Sequence, residues 1–546
     1  MHICNLPDDV LRGIFQHFCY YQKASINTWK TQLLLLSICQ KWRHLAISIV
    51  YNRVYLTCRD QLEDNSIDDN NPVETIDFAE IITNLDLFIT NDCAHLACYA
   101  DIQIAYVFNA FDGLGRAINY MKDFPMSWHK IKTLYLSSFN GASFELHAFD
   151  EQYNEVQVNQ LVRGFYDLMP NLLKIKLEGA GSNRHLFGKL AGRYQNQLDQ
   201  LNSSVHIVLP ENYCFAQLSK LDISLDFENN YKLSQICTTS LVYLGLHNVP
   251  INYQWASFKN TTDAKCIVFS HLKTFNLSYA LDLLQIDRTD TELDHDGSSL
   301  EIYFPALVRL RVKSYKKNCK FFDYAILPNT MDSFNVLGTM ETIQVLSNMR
   351  IPQVRELSLN VVFTVDNMCQ TTVKSINKIL NNSPKSKINK LIIAGIIYEI
   401  DFGVIEWSQL TLLHIGAQVK MDIALGVIAK LPNLNDLMFQ TFAAQNIPEE
   451  AFALENTSDC HDKLETLNSS ITKLKLIFDS FVYPENLIIA SIKYLSVRLS
   501  SLKLFNAQIA INKDMTEFVN EYSSIYPNLT NITFELNKPS GFVYMF

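Results

Sequence analysis

Most of the patterns that announce chemistry are missing from this 546-residue chain. Its 12 cysteines include no CxxC pair and follow no regular spacing, which removes the usual zinc-site and thiol-redox frameworks. No G-x-S-x-G, P-loop, H-E-x-x-H or reactive-cysteine signature occurs, so acyl transfer, nucleotide hydrolysis and zinc proteolysis have no visible seat. Lys and Arg are absent from residues 60–115, and nothing in the sequence reads as the basic footprint of a nucleic-acid binder. The purely apolar runs, the four leucines of residues 33–36 among them, are far too short to span a bilayer, and no signal-peptide pattern precedes the first predicted helix. The scattered thiols sit mostly in apolar surroundings and read as free and buried, so cytosol or nucleus is the expected compartment.

What is present is a folding chain with unevenly placed charge. Hydrophobic residues make up 48% and charged residues 19%, which excludes wholesale disorder. The length exceeds a single compact core, so several domains or an elongated array are expected. The net charge of -10 divides as +5 over residues 1–59 (seven basic, two acidic), -12 over residues 60–115 (twelve acidic) and -3 over the rest (39 basic, 42 acidic). Residues 56–80 read as an acidic linker, with 60–72 its most polar part.

The N-terminal stretch has two greasy halves. Leu6, Val10, Leu11, Ile14, Phe15 and Phe18 fall on one helical stripe, with Pro7 suited to a first helical position and Asp8 and Asp9 beside the positive end of the helix dipole. Leu33, Leu34, Leu35, Leu36, Ile38, Cys39 and Trp42 then supply too many apolar groups for one stripe, so this segment is expected to be covered on most sides. Leu6-Pro7-Asp8-Asp9-Val10-Leu11 with Ile14-Phe15, followed by Leu36, Ile38-Cys39-Gln40-Lys41-Trp42-Arg43, resembles an F-box. The connection over residues 19–32 is longer than the family's usual loop, and Tyr51-Asn52-Arg53 stands where a second tryptophan is often found. The resemblance implies a helical module over residues 1–55 that docks, through Leu6, Pro7, Val10, Leu11, Ile14, Ile38 and Trp42, on the Skp-type adaptor of a cullin-RING ubiquitin ligase.

Beyond the linker a loose repeat is legible. Apolar triplets at i, i+3, i+5 recur, from Ile82-Leu85-Leu87 and Ile131-Leu134-Leu136 to Leu499-Leu502-Leu504 and Leu529-Ile532-Phe534. Chance alone supplies on the order of twenty such triplets, so the spacing by itself decides nothing. Proline two residues before the triplet is the stricter test: Pro170, Pro305, Pro352, Pro432 and Pro527 pass it, five of the 15 prolines where about one is expected by chance. Within Met421 to Phe439 a helical spacing (Ile423, Ala424, Val427, Ile428, Leu431) runs to Pro432, and a short strand follows. Residues 153–177 and 514–534 repeat that order. Helices and strands with one greasy face each must stack, so residues 81–546 are expected to form an irregular α/β solenoid, parallel sheet inside and helices outside, which resembles leucine-rich repeats. The asparagine usual at i+8 is missing, with Ala180, Asp226, Val249, Gln418 and Phe442 in its place, so irregular turns are expected. Residues 81–127 read as an enlarged first repeat, a strand over residues 83–90 and then helix over 95–122, and residues 287–299 as an exposed acidic insertion.

Isolated chemical candidates are weak. Asp112-Gly113-Leu114-Gly115 lacks the third glycine and preceding strand of a dinucleotide site, and a helix-breaking turn accounts for it better. Cys93, His95 and Cys98 lie in apolar context with no fourth ligand, and Asp294-His295-Asp296 reads as a solvated loop. No cofactor and no catalytic residue are assigned. Recognition would instead use the strand positions that alternate with the buried triplets: Tyr135, Lys174, Lys176, Asp222, Tyr243, Arg309, Arg311, Lys390, His414, Lys473 and Lys475. Arg309, Arg311 and Lys313 with Lys316 and Lys317 are the densest basic spot, suited to an acidic or phosphorylated segment. The expected function is a non-catalytic substrate receptor of an SCF-type ligase, acting on a protein substrate and neither nucleic acid nor membrane. The rival readings are a repeat scaffold whose head merely caps the array, and an enzyme with a site of unrecognised type, for which a deep pocket of convergent groups would speak.

Overall fold

In the computed structural model, the described residues are 6–20, 30–60, 79–105, 110–124, 126–138, 155–179, 184–209, 213–225, 233, 236, 238–250, 266–279, 301–315, 321–362, 370–383, 387–395, 408–443, 467–478, 485–499, 501–509 and 531–536. The chain divides into two compact units, Met1–Leu272 and Lys273–Phe546.

The first unit opens with three helices. The Leu11 N–H donates to the Pro7 carbonyl at 3.0 Å, closing the first turn of the helix Asp8–Tyr20. A short helix, Leu34–Ile38, stops where Cys39 turns extended (φ -162°, ψ 168°), and Gln40–Val50 starts afresh from there. Both earlier helices pack on the third. Leu11, Phe15, Leu35, Trp42 and Leu45 are buried between them, the Phe15 and Trp42 rings 4.8 Å apart. Lys41 ties the ends together by donating to the Leu6 carbonyl and pairing with Asp8, each at 3.1 Å.

The rest of that unit is built on strands β1 (Arg53–Asp60), β2 (Ala79–Thr83), β3 (Tyr99–Ala105), β4 (Thr133–Ser138), β5 (Lys174–Gly179), β6 (Gln200–His206), β7 (Lys220–Ser224) and β8 (Tyr243–Val249), with a short β9 (Cys266–Val268). β2 pairs antiparallel with β1, while β1, β3, β4, β5, β6, β7 and β8 follow one another in parallel. The buried triplets align across the sheet: Leu56, Ile102, Leu136, Leu177, Ser203, Ile223 and Leu246 stand opposite one another. The helices Ala110–Asp123, Glu155–Leu168 and Arg184–Arg193 pack side by side.

The second unit repeats the scheme with β10 (Thr274–Tyr279), β11 (Glu301–Tyr303), β12 (Arg309–Lys313), β13 (Ala325–Ile326), β14 (Ser333–Gly338), β15 (Glu356–Val361), β16 (Lys390–Ala394), β17 (Leu412–Lys420), β18 (Asp436–Ala443), β19 (Lys473–Phe478), β20 (Leu504–Ile509) and β21 (Asn531–Leu536). β10, β12 and β14 through β21 form its parallel sheet, and β11 pairs with β13 apart from it. The helices Met340–Asn348, Gln370–Asn382, Met421–Lys430 and Glu485–Arg498 lie between successive strands in the chain.

A main-chain rail aligns the strand starts. The residue just before each strand offers its carbonyl to two consecutive N–H groups of the next unit. In the first unit Cys98 receives Lys132 and Thr133, Lys132 receives Leu173 and Lys174, Leu173 receives Asp199 and Gln200, and Asp199 receives Ser219 and Lys220. In the second, Lys273 receives Val308 and Arg309, Val308 receives Asp332 and Ser333, and Asp332 receives Arg355 and Glu356, the series continuing to Thr472 with Lys503 and Leu504. Both lone pairs of each carbonyl are used by main-chain donors, and the Ser219 and Thr411 hydroxyls donate besides to the Asp199 and Asn389 carbonyls, at 3.2 and 3.0 Å. Order expected from an asparagine ladder at the strand ends is thus supplied by peptide groups at their beginnings. The asparagines after two of the diagnostic prolines add to it: Asn171 Nδ2 donates to the His129 carbonyl at 2.8 Å, and Asn433 Nδ2 to the Ser408 carbonyl at 2.6 Å.

Several sequence expectations are corrected. Residues 83–90 are not a strand: β2 ends at Thr83 and Leu85–Thr90 is a helix, burying Leu85 and Phe88 three apart. Asn84 fixes that corner, accepting from the Tyr55 N–H at 2.8 Å and donating to the Arg53 carbonyl at 3.1 Å. Helix over residues 95–122 begins only at Ala110, because residues 99–105 alternate Ala100, Ile102 and Ile104 inward as β3. The last array triplet before β21 is also shifted: Leu504 is 37% exposed, and Phe505 and Ala507 stand in register with Leu474 and Leu476. β1 runs from Arg53 to Asp60 and β2 starts at Ala79, so residues 56–60 and 79–80 of the expected linker are strand. Residues 61–72 of that linker, the 287–299 insertion with Asp294-His295-Asp296, Lys316, Lys317, Pro527 and residues 514–530 lie outside the described residues.

Candidate functional site

The head turns apolar side chains outward on two helices. Val10 and Ile14 on Asp8–Tyr20 are 43% and 41% exposed, and Leu34 and Ile38 on Leu34–Ile38 are 60% and 53% exposed. Pro7 is exposed and Leu6 half-buried. The expectation that residues 33–38 are covered on most sides is therefore not met: Leu35 alone of that run is buried. Leu11 and Trp42, grouped in the sequence with the docking residues, point inward, and they support the outward face from beneath. Leu34 was missed; its signal was the surplus of apolar groups in residues 33–38.

In the first unit's sheet the positions alternating with the buried triplets form a polar face. Tyr135, Lys176 and Asp222 share one register row with Asp101, and Lys174 and Tyr243 lie in the row beside it. Lys176 Nζ pairs with Glu178 at 2.6 Å and lies 4.7 Å over the Tyr135 ring, whose hydroxyl also donates to Glu178. Burial works against the Glu178 charge, yet the hydrogen bonds from Lys176 and Tyr135 hold its pKa below the usual range. Asp101 is fully buried. Arg53 stacks 3.9 Å over Tyr99 and brings Nη1 to 3.9 Å from Asp101 Oδ2, an oxygen without a hydrogen bond among the described residues. Burial pushes the Asp101 carboxyl up to about 6 against the pull of Arg53. Further along, Asp222 accepts from Asn202 Nδ2 at 3.3 Å and meets His247 Nε2 at 2.7 Å. A Cβ on Gly245 would stand 2.1 Å from Asp222 Oδ1, so the glycine makes room for that carboxylate. Arg53, Tyr99 and Asp101 were not singled out from sequence, since β1 and β3 were not read as strands; Glu178 on β5 and His247 on β8 follow directly on the last buried residue of their triplets, beyond the positions the spacing marks.

The second unit's sheet carries the remaining outward strand positions named from the sequence. Arg309 and Arg311 are exposed on β12; Arg309 Nε lies 3.9 Å from Asp332, which Arg355 also approaches at 3.6 Å. Burial, with Arg311 beside it, lowers the Lys313 pKa. Lys390 and Lys473 are exposed and Lys475 half-buried, while His414 Nε2 meets Asp436 at 3.1 Å and, by that hydrogen bond, lowers the carboxyl's pKa.

The cysteines are less hidden than their sequence context suggested. Cys58 and Cys93 are buried, whereas Cys98, Cys214 and Cys266 are exposed. Burial pushes the Cys58 thiol up to about 12, so it is neutral at physiological pH. The Cys98 thiol donates to Asn52 Oδ1 at 2.5 Å. His95 lies in a short 3-10 turn, Ala94–Leu96, and Gly113 and Gly115 fall inside the helix Ala110–Asp123 rather than at a turn. Among the described residues no group of three or more His, Cys, Asp or Glu side chains is placed to hold a metal ion, and no helix is long and apolar enough to cross a membrane. No family model matches the chain, and no curated protein matches it.

Proposed function

We propose that the chain is the substrate receptor of a cullin-RING ubiquitin ligase, its F-box-like head docking on a Skp-type adaptor and its leucine-rich-repeat-like sheet holding a protein substrate. The observation that carries this reading is the outward apolar face of the head. Val10, Ile14, Leu34 and Ile38 keep about half of their surface in water while Leu11, Phe15 and Trp42 form a packed layer behind them. Completing the burial of four such side chains is worth on the order of 4 kcal/mol, enough for the centre of an interface with a polar rim. In this reading the chain breaks no bond itself; it raises the effective concentration of a substrate lysine near a bound conjugating enzyme.

The test is capture of purified adaptor by the intact chain and by the variant Val10→Asp with Ile14→Asp. Two charges placed in the docking face should lower affinity at least about a hundredfold while the thermal unfolding of the chain shifts little, because neither side chain belongs to the buried layer. Unchanged capture by that variant, or none by the native chain, would refute the proposal.

A further inference from the structure

Strands β16 to β20 differ from the rest of the second unit in what they present on the polar face. One register row reads Lys390, Leu412, Asp436, Lys473, Leu504. The next reads Ile392, His414, Met438, Lys475, Asn506. Ile392, Leu412 and Met438 are half-buried and Leu504 is 37% exposed, so apolar surface lies open between cations. The same two rows on β12, β14 and β15 hold Arg309 and Arg311, Ser333 and Asn335, and Glu356 and Ser358, with no apolar member. Exposed apolar groups on a face that is otherwise polar mark a contact surface rather than a solvated one. The charge is one-sided as well: three lysines stand against Asp436, and its carboxylate is already engaged by His414 at 3.1 Å.

We infer that this patch holds an extended protein segment in which aspartate or glutamate and large apolar residues take turns at every second position, so that both kinds of side chain fall on the one face turned to the sheet. The inference rests on the substrate-receptor reading and gives the substrate its chemistry. Side chains of such a segment would set carboxylates against Lys473 and Lys475 and apolar groups against Leu412 and Met438. Four inter-strand gaps of about 4.8 Å span about 19 Å, the length of about six extended residues. Carboxylates suit the patch better than phosphates, because its cations are single ammonium charges, and the guanidinium forks that bind phosphate bidentately, Arg309 and Arg311, lie three strands from β16 in the same rows.

Fluorescence anisotropy on the full chain tests this with a labelled peptide of about ten residues repeating Glu-Ser-Leu-Ser, which sets Glu and Leu on the same face of an extended chain. Matched peptides carry Lys for Glu, or Ser for Leu. The Glu/Leu peptide should bind, with affinity falling at least about tenfold for either control peptide and at raised salt. Lys473→Glu with Lys475→Glu, and separately Leu412→Ser with Met438→Ser, should each weaken it at least about tenfold with unchanged thermal unfolding. Equal binding of the Lys peptide, unchanged affinity in the variants, or no binding at about 100 µM overturns the inference. Adaptor capture is measured on the same preparations. Peptide binding lost with adaptor retained rejects this inference alone; peptide binding intact with no adaptor captured rejects the ligase reading instead.

Discussion

Asp101 holds a carboxyl where charge is disfavoured, and that sets a pH dependence. Its folded-state pKa, about 6, lies above the ordinary 3.8, so the native state binds its proton more tightly than the unfolded chain does. The stabilisation that this difference provides is full below about 4 and is lost as pH rises through about 6. Asp101→Asn should therefore be more stable than the native chain at pH 7.5, by about 1–3 kcal/mol, and about equal to it at pH 4. Urea unfolding at the two values decides it; a variant weaker at both would show that the Arg53 pair outweighs burial. Gly245→Ala tests the neighbouring cluster. Its Cβ would displace Asp222 from His247, at a cost of about 1 kcal/mol in the same assay, and restored stability on adding Asp222→Ser would confirm the cause. Of this the sequence showed only Asp222, as an outward strand position; Asp101 sat in a stretch read as helix and Gly245 was one glycine among 17.

Among elements, the head shows how far hydrophobic pattern reaches. The helical stripe through Leu6, Val10, Leu11, Ile14 and Phe15 was read correctly as apolar, but periodicity cannot say which part of a wide stripe meets its own fold. Leu11 and Phe15 are essentially buried, and Val10 and Ile14 are not. Leu11→Ala should thus cost about 2–5 kcal/mol, and Val10→Ala no more than about 0.5 kcal/mol, in thermal or urea unfolding of the intact chain. Equal costs would mean that Val10 is covered in solution. The same limit explains the shifted triplet at β20: Leu499, Leu502 and Leu504 satisfy the spacing, yet register with β19 selects Phe505 and Ala507. The units at β1, β3 and β6 do not show the triplet of Leu, Ile, Val, Met or Phe, because Tyr51, Ala97, Ala100 and Ser203 fill its buried positions.

On the scale of the whole molecule, the two units share one device, the paired N–H groups of one strand start held by the carbonyl before the last. The proline test and the strand triplets revealed a repeat, but this rail left no trace in the sequence, since Lys132, Leu173, Asp199, Val308, Asp332 and Arg355 occupy equivalent places in it. What it requires is a peptide N–H. Glu356→Pro should remove one donor to the Asp332 carbonyl and cost about 3 kcal/mol or more, whereas Glu356→Ala should stay within about 0.5 kcal/mol. Hydrogen exchange checks the same point: the Arg355 and Glu356 amides should exchange slowly, and fast exchange at both would remove the rail from the account. Because such a rail asks nothing of the side chains strung along it, a lineage of these chains is free to rewrite those letters while its strands stay aligned. Ancestry is then kept in geometry and lost in spelling, and distant kin are better sought by superposing carbonyls than by comparing words.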